Sequence, residues 1–437
     1  MSAPSPVNRG SLAAMLAGTV LIGLSAFVFL AAIGHGRIAP SAAAALSALY
    51  LLAVILGPGV FVALEQETSR VISGTLGVGH GIRSARRRLL VVNLALTGAT
   101  LVVLLAAGPV LVPAVFDGQI SLVFALALSV IGSAAVYSVR GLAGGRQRFG
   151  RYAATTLIDG GARIAGVTAL VLAGNANPVA YALVLCLAPG VAWLCTVKGS
   201  AGPNPSRSTP LAGAPSTVPD VAPPFRELGV DVGRLLVASW LSLALANLAP
   251  VVVTGMTTDD PVAAAGFAAA VVFARAPLLV MAPIQAMLLP RLTLAAETGQ
   301  LSALRRTVGT GLAVVVAFAV ASTLVVAAAG HWAVATLLGP ERDTVSTLTL
   351  VLLTASGGLF LATQLMQPAL VALRRHRALM LAWLMGGVAF GACFLLPLAP
   401  IDRGVAAQLL GPGTTALIQV AVLVRIAGRT ASSSGRS

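Results

Sequence analysis

What this 437-residue sequence lacks first of all is charge: only 9% of its residues are Asp, Glu, Lys or Arg, against about 25% in an ordinary soluble domain. That shortage excludes a water-soluble globule. Cysteine is nearly absent as well, and Cys186, Cys195 and Cys393 all lie in apolar runs. The first two sit too far apart on one predicted helix to bond, so no disulfide framework is expected. The histidines, His35, His80, His331 and His376, fall in four different predicted loops without ligand spacing, and neither a metal site nor another cofactor is expected. Acidic residues are scarce beside basic ones, 13 against 28, for a net charge of +15. In a soluble chain that excess suggests nucleic acid, but in a membrane chain it marks basic loops on the cytoplasmic side, and no nucleic-acid partner is expected.

What is present is apolar: 57% of the chain. One bilayer-spanning helix uses about 20 residues, so the chain supplies about twelve spans and little else. Apolar windows predict spans over 11–33, 41–64, 89–112, 120–139, 152–173 and 179–197, then over 229–254, 262–289, 308–330, 345–367, 378–398 and 405–424. The first window is longer than the apolar core of a signal peptide and reads as a retained span. Between the two sets lies a stretch rich in Pro, Ser, Gly and Ala that cannot bury a core. The expected organisation is a six-helix lobe over 1–198, a flexible cytoplasmic linker over 199–228, a second six-helix lobe over 229–426 and a disordered tail over 427–437.

Placing every basic residue orients the chain. With the N-terminus inside, 21 of them fall in inner segments, including Arg83, Arg86, Arg87 and Arg88, then Arg140, Arg146, Arg148 and Arg151, and Arg374, Arg375 and Arg377. Only Arg37, Arg342 and Arg403 fall outside. This asymmetry places both termini and the linker in the cytoplasm, in an inner or plasma membrane. The halves also look like repeats: Gly141 to Arg148, after the fourth span, aligns with Ala369 to His376, after the tenth. Six spans per half give both lobes the same orientation, as in parallel-repeat transporters. The fold class is therefore all-α and polytopic, with about twelve transmembrane helices in two pseudo-symmetric lobes.

Charged groups inside spans carry the most information, because each costs about 2.5–3.5 kcal/mol at the bilayer centre on insertion scales. Arg275 lies deep in the eighth span, beside Pro277 and Pro283, with no carboxylate within four residues. It suits an anionic substrate such as a diphosphate, or else pairs with a carboxylate of another helix. Asp159 with Arg163, and Asp231 with Arg234, share helix faces; each pair is either structural or an ion-responsive gate. Glu65, Glu67 and Arg70 close the second span as an inner gate or as interfacial anchors. Asn247, Gln364 and Gln367 can hydrogen-bond sugar hydroxyls or neighbouring helices. The Gly-rich pieces Gly74 to Gly81 and Gly141 to Gly145 contain no lysine and follow no strand, so no phosphate loop is supported. The longest outer loop, about fourteen residues from His331 to Thr344, is too short to carry the acidic motifs of a membrane glycosyltransferase, and the chain is not expected to be an enzyme.

The segment RGLAGGRQRFGRYAATTLIDGGARIAG, Arg140 to Gly166, resembles the connection between the fourth and fifth spans of polysaccharide exporters. These are the O-antigen flippase type of the multidrug, oligosaccharidyl-lipid and polysaccharide (MOP) superfamily, to which the MATE transporters also belong. Phe273 to Leu278 and Leu289 to Leu292 are similar to that family's eighth span. The resemblance implies that a polyprenyl-diphosphate-linked saccharide is moved from the cytoplasmic to the outer leaflet by alternating access, with Arg275 receiving the diphosphate. It also implies partners: the bilayer, the lipid-linked substrate and glycan-synthesis enzymes in the membrane. The first span carries no arginine and the second only Arg70, a departure from the lipid II flippases of the same superfamily. Two other readings stay open. A cation-coupled drug or metabolite antiporter of the same fold would use a carboxylate such as Asp159 or Asp231, and a non-transporting scaffold for glycan synthesis would use the linker or the inner loops.

Overall fold

The computed structural model of the chain describes residues 9–35, 38–199, 220, 222–257, 260–275, 277–278, 281–338 and 345–434. Among these residues there are fourteen α-helices and no strand. They are α1 (Arg9–His35), α2 (Pro40–Leu56), α3 (Pro58–Gly77), α4 (Arg83–Val115), α5 (Ile120–Gly145), α6 (Phe149–Leu172) and α7 (Pro178–Thr196), then α8 (Phe225–Met256), α9 (Pro261–Arg275), α10 (Met281–Glu297), α11 (Leu301–Leu338), α12 (Thr347–Ala372), α13 (His376–Cys393) and α14 (Pro400–Ser434). Eleven helical segments are long and apolar enough to cross a membrane, with α9 a shorter apolar helix. Counting the broken α9–α10 region as one, all twelve expected spans are helical. Exposed apolar side chains such as Val102 and Leu94 on α4, and Val314 and Leu324 on α11, are what hydrocarbon rather than water would cover.

The chain divides into two compact units, Met1–Leu236 and Val237–Ser437, with the boundary inside α8. In the first unit α5 is the central helix and packs against α3, α7, α4 and α6, while α1 lies along α6. In the second unit α12 is central and packs against α11, α14, α10 and α9. Both are the fourth span of their half, and both end alike. Arg148 N–H donates to Ala143 O at 2.8 Å and Arg375 N–H to Leu370 O at 2.8 Å, with Gln147 and Arg374 in the left-handed region at φ 58° and 56°. These are matching helix C-caps. They pair Gln147 with Arg374, one residue out from the sequence alignment, which opposes Gln147 to Arg375.

The second span of each half is interrupted. Pro58 lacks an N–H and disfavours helical backbone in the residue before it, so the chain breaks between α2 and α3 at Gly57, where a Cβ would meet Ala53 O at 2.7 Å. In the second half α9 ends at Arg275 and α10 starts at Met281, with Pro277 between. Interrupted segments at corresponding places in two repeats mark binding regions of transporters. Elsewhere the helices approach closely through small residues: a Cβ on Gly160 of α6 would meet Ile22 N of α1 at 2.8 Å.

Several expectations need correction. The stretch 225–228 is not linker: with Pro223 and Pro224 behind it, Phe225 opens α8, and Leu228 N–H bonds Pro224 O at 3.1 Å. Residues 200–219 and 221 of the expected linker, and 435–437 of the expected tail, lie outside the described residues. The backbone of 427–434 continues α14, because the helix-forming run through Val424, Arg425 and Ile426 has no proline to stop it. His35 closes α1, His331 lies within α11 and His376 opens α13, so three of the four histidines are helical rather than in loops.

Candidate functional site

In the first unit Arg70, Arg140, Arg163 and Arg234 each meet a carboxylate. Arg140, expected in an inner loop, lies on α5, which runs on to Gly145, and its side chain is 5% exposed. Its Nη2 reaches Asp159 Oδ2 at 3.3 Å, and its Nε donates to Thr155 Oγ1 at 3.0 Å. Arg163 Nη2 holds the other oxygen of Asp159 at 2.9 Å. One buried carboxylate thus bridges α5 to α6, and the expected intrahelical pair is a triad. The Arg140 guanidinium lies 4.8 Å from the Tyr137 ring centroid. Glu65, on α3, accepts a hydrogen bond from the Tyr152 hydroxyl and forms no salt bridge with a described residue.

The second network joins α3 to the start of α8. Arg70 grips Glu67 with two donors, Nε to Oε2 at 2.9 Å and Nη2 to Oε1, and its Nη2 lies 3.9 Å from Asp231 Oδ2. Asp231 Oδ1 in turn meets Arg234 Nη1 at 3.3 Å. Glu67 and Arg70 are fully buried, unlike interfacial anchors. Near them Leu228 packs among Val71, Ile72, Ala85 and Leu89. Asp220 accepts the Ser84 N–H on both carboxylate oxygens at 3.2 and 3.0 Å, supplying the cap that α4 lacks from its own flanking residues. Arg88 donates to Ala222 O at 3.0 Å and Pro223 O at 2.7 Å.

In the second unit the one expected substrate-binding cation has a different setting. Arg275 ends α9 at the break, and no described carboxylate pairs with it. Its Nη2 donates to Leu245 O of α8 at 3.1 Å and to Gln408 Oε1 of α14, and the guanidinium lies 6.0 Å from the Phe360 ring centroid. The charge meets a carbonyl, an amide and a ring, all neutral. Its Nε and Nη1, three of its five donors, make no hydrogen bond to a described residue.

The expected neutral partners do not all gather there. Gln364, on α12, donates to Ser242 Oγ at 3.0 Å and receives Gln285 Nε2 on its side-chain oxygen at 2.8 Å, tying α8, α10 and α12 together. Gln367 is buried on α12. Asn247 is exposed and donates to Leu243 O of its own helix at 2.8 Å. The residues that sequence reasoning passed over are Gln408 and Arg140. Gln408 carried a readable signal, an amide in an apolar run. Arg140 carried one only in the knowledge that α5 packs on α6.

No protein-family model matches the chain. Two uncharacterized proteins of Mycobacterium tuberculosis, from strains H37Rv and CDC 1551, are 29% identical to it over 429 residues, covering 96% of this chain and 93% of theirs. Among solved structures, a MATE transporter bound to MaD3S superposes with a TM-score of 0.77 at 14% identity, over 95% of each chain. VcmN, a Vibrio cholerae MATE transporter in its bent form, gives 0.73 at 14% identity over 95% of this chain and 96% of that one. The chain has the MATE fold. A MOP-superfamily transporter of Pyrococcus furiosus, described as having a binding pocket of reverse polarity, shares that fold at a TM-score of 0.72 and 13% identity over 98% and 95% of the two chains. At these identities the likeness speaks to architecture, and the side chains above must speak to chemistry.

Proposed function

We propose that this chain is a membrane transporter that moves a polyprenyl-diphosphate-linked saccharide, a precursor of cell-envelope polysaccharide, from the inner to the outer leaflet by alternating access. The observation that carries this reading is Arg275, a part-buried guanidinium at a helix break whose hydrogen bonds to described residues go to neutral acceptors. A buried cation left without a carboxylate is costly, and a bidentate anion such as a diphosphate relieves that cost when it binds. Asp159 and Asp231, the carboxylates an antiporter would need, are both held by arginines. The charge asymmetry supports termini and basic loops on the cytoplasmic side of a plasma membrane, where the lipid-linked precursor and its synthetic enzymes would meet the protein.

One observation favours a second reading, a cation-coupled antiporter of drugs or metabolites. Glu65 bonds Tyr152 and forms no salt bridge with a described residue, which is the setting a proton- or cation-binding carboxylate requires. One experiment separates the readings. Lipid-linked saccharide is measured by leaflet in a deletion strain and in R275A, and accumulation in the inner leaflet is expected in both. R275K should resemble R275A, because lysine lacks the bidentate fork. An unchanged leaflet distribution in both strains overturns the flippase reading, and accumulation of a cationic dye on deletion supports the antiporter.

A further inference from the structure

Gln408 is 2% exposed on α14. Its amide faces two groups of opposite demand. Leu245 O can only accept and takes Gln408 Nε2 at 3.3 Å, while the Arg275 guanidinium can only donate and gives Nη2 to Gln408 Oε1. Leu245 O also takes Arg275 Nη2 at 3.1 Å, closing a triangle. Both ends of the amide are therefore assigned by their partners, and a primary amide meets both demands without carrying charge. Leu245 lies just before the turn of α8 where Pro250 withholds a backbone donor.

Every buried arginine paired in the first unit faces a carboxylate. At Arg275 the corresponding place is filled by a carboxamide of nearly the same shape as glutamate. We propose that Gln408 is a specificity-determining residue: it fixes the Arg275 guanidinium in place while leaving its charge uncompensated, so that the site takes an anionic, diphosphate-class head group. Replacing Gln408 by glutamate changes little in shape and supplies the missing counter-charge. The ligand's anion then has to compete with a resident carboxylate.

This inference rests on the reading of Arg275 as the anion site, and the test keeps the two apart. The full-length protein in phosphatidylcholine nanodiscs is titrated with radiolabelled farnesyl diphosphate and, separately, with uncharged farnesol. Wild type should bind farnesyl diphosphate saturably, R275A should lose that binding, and Q408E should weaken it by about tenfold or more. Farnesol binding should be the same in all three. Q408E should also melt no lower than wild type, since it forms an ion pair rather than breaking one. If Q408E fails to fold, Q408L carries the test, with an expected loss of about threefold from the unfixed guanidinium. R275A losing farnesyl diphosphate while Q408E, or Q408L in its place, binds like wild type overturns the role of Gln408 and leaves Arg275 standing. Binding by R275A equal to wild type, or no binding by wild type, overturns the anion site itself and the inference with it.

Discussion

The two units treat buried positive charge in opposite ways. In the first, Arg140 and Arg163 share Asp159, while Arg70 shares Glu67 and Asp231, so each guanidinium meets a carboxylate. In the second, Arg275 meets a backbone carbonyl and an amide. The chemical group is the same, and under the proposed function the difference is that the first sites are structural and the second binds an anion. A compensated network holds helices together and is closed to ligands. An uncompensated cation costs the fold free energy, and such strain persists where function uses it.

The largest expected effect comes from removing the shared anion. D159A leaves Arg140 and Arg163 without their shared carboxylate, and breaking a buried pair this way costs about 3–5 kcal/mol. The thermal unfolding midpoint of the detergent-solubilised protein should fall well below wild type, with D159N moving in the same direction. A wild-type midpoint would mean that the triad is not structural, and the contrast between the units would lose its first half.

Much of this contrast was legible in the sequence, and the missing part has a common cause. Apolar runs of bilayer length located every span, and a position deep in a span with no carboxylate within four residues singled out Arg275. Pairs three or four residues apart, such as Asp231 with Arg234, can also be read directly, because helix geometry alone brings them together. Arg140 and Asp159 lie on successive helices, and their meeting depends on α5 and α6 packing with those faces inward. Gln408 was hidden by similarity: Gln364, Gln367 and Gln419 also sit in apolar runs, and only the packing of α14 near α8 and α9 selects one of them. The helix breaks were written in Gly57-Pro58 and in Pro277. Hydropathy averaged over a whole window passes across such points without a dip.

A smaller effect tests whether compensation in the first unit extends to its surface. The N-terminus of α4 carries Arg83, Arg86, Arg87 and Arg88 and no acidic residue in its first turn, against the preference of the helix dipole for negative charge there. Asp220 is the anion that meets it, capping Ser84 N–H. D220A should lower stability by about 1 kcal/mol and should speed hydrogen exchange of the amides in the first turn of α4. Unchanged protection there would show that the arginines tolerate their position without Asp220.

The smallest expected effect on stability is the sharpest test of the comparison. R275M removes an uncompensated buried charge and replaces it with an apolar chain of similar length. The fold is relieved of the desolvation cost of the guanidinium, and it loses one partner of Gln408 Oε1, which costs about 1–3 kcal/mol when a buried acceptor goes unmet. Gln408 Nε2 keeps its bond to Leu245 O. The opposing contributions leave the unfolding midpoint near that of wild type, in contrast to the fall expected for D159A, while binding of an anionic lipid is lost. If R275M destabilised the protein as much as D159A does, Arg275 would be a structural residue like those of the first unit, and the second unit would hold no uncompensated site for a ligand to complete.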